Sequence, residues 1–175
     1  MKKIEIIPLE GIDFEEGISI RFGQTIPEIK AVLGDPTAEE PHQLYYDHLE
    51  FRLDFDKNGE LEFVEIQGPF SRHLAPQIYH VNPFAIEADD LVKLLTEKND
   101  GRIDDSEKPY CYCFLENSVG VWREFVEDDI RATIDELKDN GEYEESKDWI
   151  EQDLEKAKFF WTVGIGNKNY YHTIL

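Results

Sequence analysis

The clearest alternation of apolar and polar positions in this chain lies between residues 44 and 68. In its first half every second residue is apolar and its neighbours are charged, a period of two that predicts a half-buried strand. Those apolar residues are Leu49, Phe51, Leu53 and Phe55. A second apolar run, from Leu61 to Ile66, predicts the partner strand of a β-hairpin.

The loop sets the register of this hairpin. Lys57-Asn58-Gly59 is a three-residue loop in which Gly59 can take the left-handed conformation. The predicted cross-strand pairs are Phe55 with Leu61, Leu53 with Phe63, Asp54 with Glu62, and Asp56 with Glu60. Acidic residues that face each other destabilise a sheet. We therefore expect a compensating positive group: Arg52, Lys57, a bound cation or a basic partner.

The same loop also matches the calcium-loop pattern D-x-[DN]-x-[DN]-G-x5-E. The matching residues are Asp54, Asp56, Asn58, Gly59 and Glu65. That pattern needs a helix on each side, whereas both flanks here alternate as strands do. The hairpin is the favoured interpretation, and a calcium-binding module is the alternative.

Apolar residues at helical spacing predict four helices. They run from the Thr25–Glu28 capping box to Gly34, from Glu87 to Lys98, and over two stretches of 127–158 separated by Asp139-Asn140-Gly141. Further strands are predicted at Ile4–Ile7, on a sheet edge, and at Ile18–Phe22, Tyr110–Leu115, Val119–Phe125 and Phe159–Ile165.

This order of elements predicts a single α+β domain over residues 1–175. Residues 18–66 and 78–125 look like two versions of one β-α-β-β unit, and the acidic helices of 127–158 follow them. The first two helices are expected to cover one face of a largely antiparallel sheet.

The chain has 39 acidic and 18 basic residues, for a formal charge of −21. Such a field repels nucleic acid and anionic membranes and attracts basic partners, although it also serves solubility. No secretory signal precedes the domain and no segment reaches transmembrane length, so we expect a cytoplasmic protein. The pattern leaves the oligomeric state open.

Acidic residues are densest between Glu127 and Glu155, where thirteen stand against three basic ones. They form either the solvated faces of two amphipathic helices or a docking surface for a basic protein. The candidate contact residues are Asp54, Asp56, Glu60, Glu62, Asp135, Glu136, Asp139, Glu142, Tyr143, Glu144 and Glu145. Tyr143 would be an aromatic anchor, whereas Trp149 is expected to face inward.

The sequence contains no catalytic constellation, so we predict a non-enzymatic protein without a cofactor. The nearest approach to one is His73, a loop histidine that could serve a small hydrolase together with neighbouring carboxylates. Cys111 and Cys113 lie on one face of a predicted strand, at poor geometry for a mutual disulfide. Small buried residues are their favoured interpretation, with a metal role as the minor alternative.

Several segments together resemble small bacterial immunity proteins that are encoded beside polymorphic toxins. The segments are GISIRFGQTIPEIKAVLGDP, LEFRLDFDKNGELEFVEIQG, NPFAIEADDLVKLL and FLENSVGVWRE, which span residues 18–125. The tandem layout is also similar to that of β-lactamase inhibitory protein. The resemblance implies an inhibitor that binds a toxin domain, such as a nuclease, and catalyses nothing.

Overall fold

The computed structural model describes residues 1–15 and 17–174, which form two β-sheets and flanking helices. The fold is therefore α+β, as the sequence predicted. The strands are β1 (Lys2–Ile7), β2 (Gly11–Phe14), β3 (Ser19–Arg21), β4 (Ala38–Glu40), β5 (Gln43–Tyr46), β6 (Phe51–Phe55), β7 (Leu61–Gln67), β8 (Leu74–Ile78), β9 (Ile103–Asp104), β10 (Cys111–Phe114), β11 (Val119–Trp122) and β12 (Thr162–Gly166). The helices are α1 (Ile26–Leu33), α2 (Ala88–Asn99), α3 (Glu127–Asn140), α4 (Tyr143–Lys156) and α5 (Tyr170–Ile174), with a short 3-10 turn at Asp47–Leu49.

The larger sheet has eight strands in the order β4-β5-β6-β7-β12-β11-β10-β9, and each strand is antiparallel to the strands beside it. Its two halves are antiparallel meanders that meet where β12 pairs with β7. In the chain, α1 precedes one half and α2 precedes the other. Because β12 follows the acidic helices, it lies outside the unit predicted at 78–125, and the proposed duplication stays a prediction.

The smaller sheet has the order β3-β2-β1-β8. The prediction that Ile4–Ile7 lies on a sheet edge is wrong, because β1 pairs with β2 on one side and with β8 in parallel on the other. The partner strand β8 begins almost 70 residues later in the chain. A pattern confined to the first residues carries no information about that pairing.

One apolar core joins the two sheets to α1 and α2. The helices contribute Ile29 and Leu91, and the larger sheet contributes the alternating apolar residues of β6 and β7. A second, smaller cluster lies on the opposite face of that sheet, where α5 covers it. Its members are Phe63, Cys113, Leu115 and Tyr171, with Cys111 and Tyr170 packed against them. Thus α1 and α2 pack on the core side, as expected, whereas α5 covers the outer face.

The β6–β7 hairpin contains a bulge that the alternation does not show. Phe55 pairs with Leu61 as predicted, but Leu53 pairs with Val64 and Asp54 with Phe63. The predicted pairs Leu53–Phe63 and Asp54–Glu62 are therefore wrong. One extra residue on β7 turns the Phe63 side chain to the outer face of the sheet, where α5 packs on it.

The helices α3 and α4 form an antiparallel pair inserted between β11 and β12, which we call the acidic arm (residues 127–156). Gly141 ends α3 with φ of 76°, at the predicted break. The arm has its own apolar cluster around Ile130 and Ile150. At its base the buried guanidinium of Arg123 donates hydrogen bonds to the carbonyl oxygens of Pro109 and Ala157, each at 3.0 Å.

Candidate functional site

An open pocket of about 560 Å³ lies beside the β6–β7 hairpin. We call it the hairpin pocket, and its principal residues are Glu40, His42, Tyr45, Asp54, Glu62 and Tyr170. Asp54 reaches it from the outward-facing side of β6, and Tyr45 from the neighbouring strand β5. Tyr170 is held by α5, where its ring stacks on Phe63 at 4.5 Å between centroids. The pocket thus combines carboxylates with two tyrosines.

Asp54 already has one cationic partner. Arg52, on the same strand, donates to its two carboxylate oxygens at 2.9 and 3.1 Å, and also lies 3.2 Å from a carboxylate oxygen of Glu65. This guanidinium is one of the positive groups that the sequence offered as a partner for these acids. Burial nevertheless raises the pKa of Asp54 above its ordinary value, against the opposing effects of Arg52 and Gln43.

Glu62 has no comparable partner. Among the described residues, no basic side chain lies within 4.0 Å of its carboxylate. Its pKa is raised first by burial and then by the charges of Asp56 and Asp54, against an opposing effect of His42. The pKa of Tyr170 is raised to about 12, by burial and then by Asp54 and Glu62. Negative charge in the pocket is therefore only partly compensated.

The other two acids of the hairpin have different surroundings. One carboxylate oxygen of Asp56 accepts hydrogen bonds from the backbone N–H groups of Asn58 and Glu60, at 2.8 and 3.0 Å. These bonds lower the pKa of Asp56, with that from Glu60 contributing most. Asp56 therefore stabilises the turn, while Glu60 is exposed beside it.

The proposed calcium ligands are not arranged as in a calcium loop. Asp54 and Glu65 both pair with Arg52, and strands, not helices, flank the turn. Within the part of the chain that the structure describes, no group of three or more His, Cys, Asp or Glu side chains is placed to hold a metal ion. The carboxylates of Asp54 and Glu65 therefore have the guanidinium of Arg52 as their cationic partner.

The predicted contact residues of the acidic arm surround its turn. Asp135, Glu136, Asp139, Glu142, Glu144 and Glu145 are exposed, and none has an ion-pair partner within 4.0 Å among the described residues. Tyr143 is half-buried, with the ammonium of Lys138 5.1 Å from its ring centre. The expectation that Trp149 faces inward is wrong: it is 45% exposed, whereas Ile150 is fully buried.

The hairpin and the arm leave the larger sheet at opposite ends. The hairpin turn lies beside Leu61, at the start of β7, whereas Gln67 at its end pairs with Thr162. Thr162 in turn pairs with Trp122, and the arm connects these two residues. Since β7 has seven residues, about 20 Å separate the hairpin turn from the base of the arm. The predicted contact residues therefore form two acidic groups instead of one.

The hydrolase alternative gains no geometric support. His73 is exposed, and within the described residues its ring makes no hydrogen bond to a carboxylate. The nearby Ser71 hydroxyl donates instead to Glu50. Among the residues that the structure describes, no base is held against a nucleophile at this loop.

No protein-family model matches this chain, and no curated protein or solved structure is significantly similar to it. Within residues 1–15 and 17–174, no helix combines the length and the apolar character that crossing a bilayer requires.

Sequence reasoning identified Asp54 and Glu62 but missed Glu40, His42, Tyr45 and Tyr170. Tyr45 and His42 immediately precede the predicted hairpin, so pairing of a third strand could have indicated them. Tyr170 comes from more than 100 residues away in the chain. Only the packing of α5 on Phe63 brings it to the pocket.

Proposed function

We propose that this chain binds a basic protein partner and acts as an immunity-type inhibitor of a bacterial toxin, such as a nuclease. The observation that carries this proposal is the incompletely compensated negative charge of the hairpin pocket. Burial and neighbouring acids raise the pKa of Glu62, and burial raises that of Asp54. A basic side chain from a partner would relieve this cost on binding.

A lysine or arginine side chain suits this pocket chemically. Its charge would lie near Asp54 and Glu62, and the tyrosines would provide aromatic walls for its apolar stem or its cationic end. Removal from bulk water would strengthen these contacts relative to those of exposed ion pairs. The pocket would then supply specificity at one point of a larger interface.

The acidic arm supports the same proposal through long-range electrostatics. The exposed acids around its turn are not neutralised by basic side chains within their own helices, unlike Glu127, which pairs with Arg131 at 3.1 Å. A concentrated negative surface accelerates encounter with a basic partner, and salt weakens this effect. Because arm and hairpin leave the sheet at opposite ends, we assign the arm to steering and the pocket to the bound contact.

A rescue experiment tests the proposal. Each open reading frame beside the gene for this chain is expressed alone in a bacterial host, and again together with the chain. We expect one neighbour to stop growth alone and to be harmless with the chain present. The double substitution Asp54→Asn and Glu62→Gln should abolish rescue.

The matched control changes the charge by the same amount at Glu127 and Glu155, which pair with Arg131 and with Lys158, two residues beyond the arm. The substitutions Glu127→Gln and Glu155→Gln should leave rescue intact. The proposal is overturned if no neighbour is toxic. The pocket assignment is overturned if the Asp54 and Glu62 variant rescues growth as well as the control does.

A further inference from the structure

Two cysteine side chains lie side by side on the outer face of the larger sheet. Both Cys111 and Cys113 are free thiols, and both belong to the cluster that α5 covers. Cys113 is 6% exposed, while Cys111 is half-buried. They are alternate residues of β10, so their side chains leave the same face of the strand. Two thiols on one face in an apolar setting form a chemical unit that the proposed partner binding does not use.

Strand geometry opposes a direct bond between these sulfurs. Alternate residues of an extended strand have Cα atoms about 6.6 Å apart and side chains that point the same way. A disulfide requires Cβ atoms only about 3.5–4.5 Å apart. The strand β10 pairs with β11 on one side and with β9 on the other, which holds it extended. The two sulfur atoms can therefore bind one atom between them more easily than they can bond to each other.

We propose that Cys111 and Cys113 bind one soft metal ion of the Cu(I) class between their sulfur atoms. Thiolates are the ligands that Cu(I) prefers, and two of them suffice for it. Zinc needs four ligands, whereas the described residues provide no third side chain for a metal group here. On binding, both thiols lose their protons to solvent, two metal–sulfur bonds form, and copper remains in the +1 state.

The surroundings favour entry and retention of such an ion. Asp104 pairs with Cys113 across the strands, and it places a carboxylate at the edge of the sheet, where a cation would approach. Tyr171 and Leu115 then shield the inner thiol from water. Cys111 is the more exposed of the two thiols, so the metal ion would enter and leave the site past Cys111.

The test uses the full chain, reduced and free of oxygen, with Cu(I) supplied as its coloured complex with bathocuproine disulfonate. We expect the chain to remove one Cu(I) ion per molecule from the chelator. Cys111→Ser and Cys113→Ser should each weaken copper binding by at least roughly 100-fold. Loss of a residue that only orients a metal ligand already lowers metal affinity by up to about 100-fold. Ser106→Ala, an exposed change nearby, should have no effect.

A second measurement keeps the proposal falsifiable if a serine variant fails to fold. Alkylation of Cys111 by N-ethylmaleimide should be rapid in the metal-free chain and blocked by one equivalent of Cu(I). The proposal is overturned if the chain leaves the copper with the chelator or if the folded serine variants bind as well as the parent. It is also overturned if Cu(I) leaves alkylation unchanged, or if diamide converts the folded chain quantitatively to an internal disulfide. None of these outcomes depends on the identity of a protein partner.

Discussion

A Cβ atom at Gly120 would lie 2.1 Å from the hydroxyl oxygen of Tyr171, so these two residues fix how α5 sits on the outer face of the larger sheet. Gly164, which pairs with Gly120 on the next strand, leaves room for the same ring. Tyr171 is buried there, and burial raises its pKa well above the ordinary value. Glycine is therefore required at this point by a contact between elements and not by a turn.

Gly120→Ala should displace Tyr171 and lower the free energy of unfolding by about 1–3 kcal/mol, as overpacking does. Urea unfolding measures this loss. In a Tyr171→Ala background the clash is gone, so the same substitution should be neutral or slightly stabilising. Equal costs of Gly120→Ala in both backgrounds would show that Tyr171 is not the obstacle.

Glu62→Gln should stabilise the chain at pH 7 by about 0.5 kcal/mol, because burial and then the like charges of Asp56 and Asp54 disfavour the ionised carboxylate. The raised pKa of Glu62 means that the native state binds more protons than the unfolded state above the ordinary value of 4.5. Native stability therefore falls as the pH rises through the folded pKa, and the cost remains at neutral pH.

Urea unfolding of Glu62→Gln and its parent at pH 7 and at about pH 3 tests this sign. The difference should disappear at the lower pH, where the carboxyl is protonated in both states. The same change at the exposed Glu144 should have little effect at either pH. A Glu62→Gln variant that is less stable at pH 7 would contradict the assignment of uncompensated charge.

Arg52→Gln should cost about 1–3 kcal/mol at pH 7, because it leaves the half-buried carboxylates of Asp54 and Glu65 without their shared cation. Adding Glu65→Gln should recover part of this loss. The matched control is Arg131→Gln, which breaks only an exposed pair with Glu127 and should change stability by under about 0.5 kcal/mol. Equal losses in the two single variants would remove the case for a shared cation.

Ile150→Ala should unfold the acidic arm before the sheet, because the arm has an apolar cluster of its own. Loss of this buried side chain costs about 2–5 kcal/mol. Hydrogen exchange should show faster exchange in α3 and α4 with little change in β6 and β7. Val163→Ala, in the main core, should instead accelerate exchange throughout the sheet. Uniform acceleration in Ile150→Ala would mean that the arm and the sheet unfold together.

Local sequence patterns predicted the elements that depend on neighbouring residues. Alternation around Phe51 identified β6, the Thr25 capping box marked the start of α1, and Gly141 marked the end of α3. These features follow from side-chain periodicity and from the few residues that fit a given backbone conformation. The α+β class follows from the order of such elements.

The site was only half predictable. The acids Asp54 and Glu62 are evident in the sequence, but the pocket also needs Tyr170, which reaches it only because the bulge turns Phe63 outward. The alternation of apolar residues could not reveal that bulge, since Leu61, Phe63 and Val64 are all apolar whichever face they occupy. When both faces of a strand are buried, apolar residues occupy both of them. The alternation of apolar and polar residues that would identify each face is then lost.

The sequence by itself therefore determined the helices α1 to α4, the strands with a clear local apolar pattern, and how strongly acidic the protein is, but not α5 or the short strands β2, β4, β8 and β9. Tertiary structure decided the rest: β8 pairs beside β1, α5 covers the outer face, and the two acidic groups lie at opposite ends of the sheet. The physical reason is that helix formation and turn formation are local. Strand pairing and packing instead join residues far apart in the chain, through contacts that local periodicity does not specify.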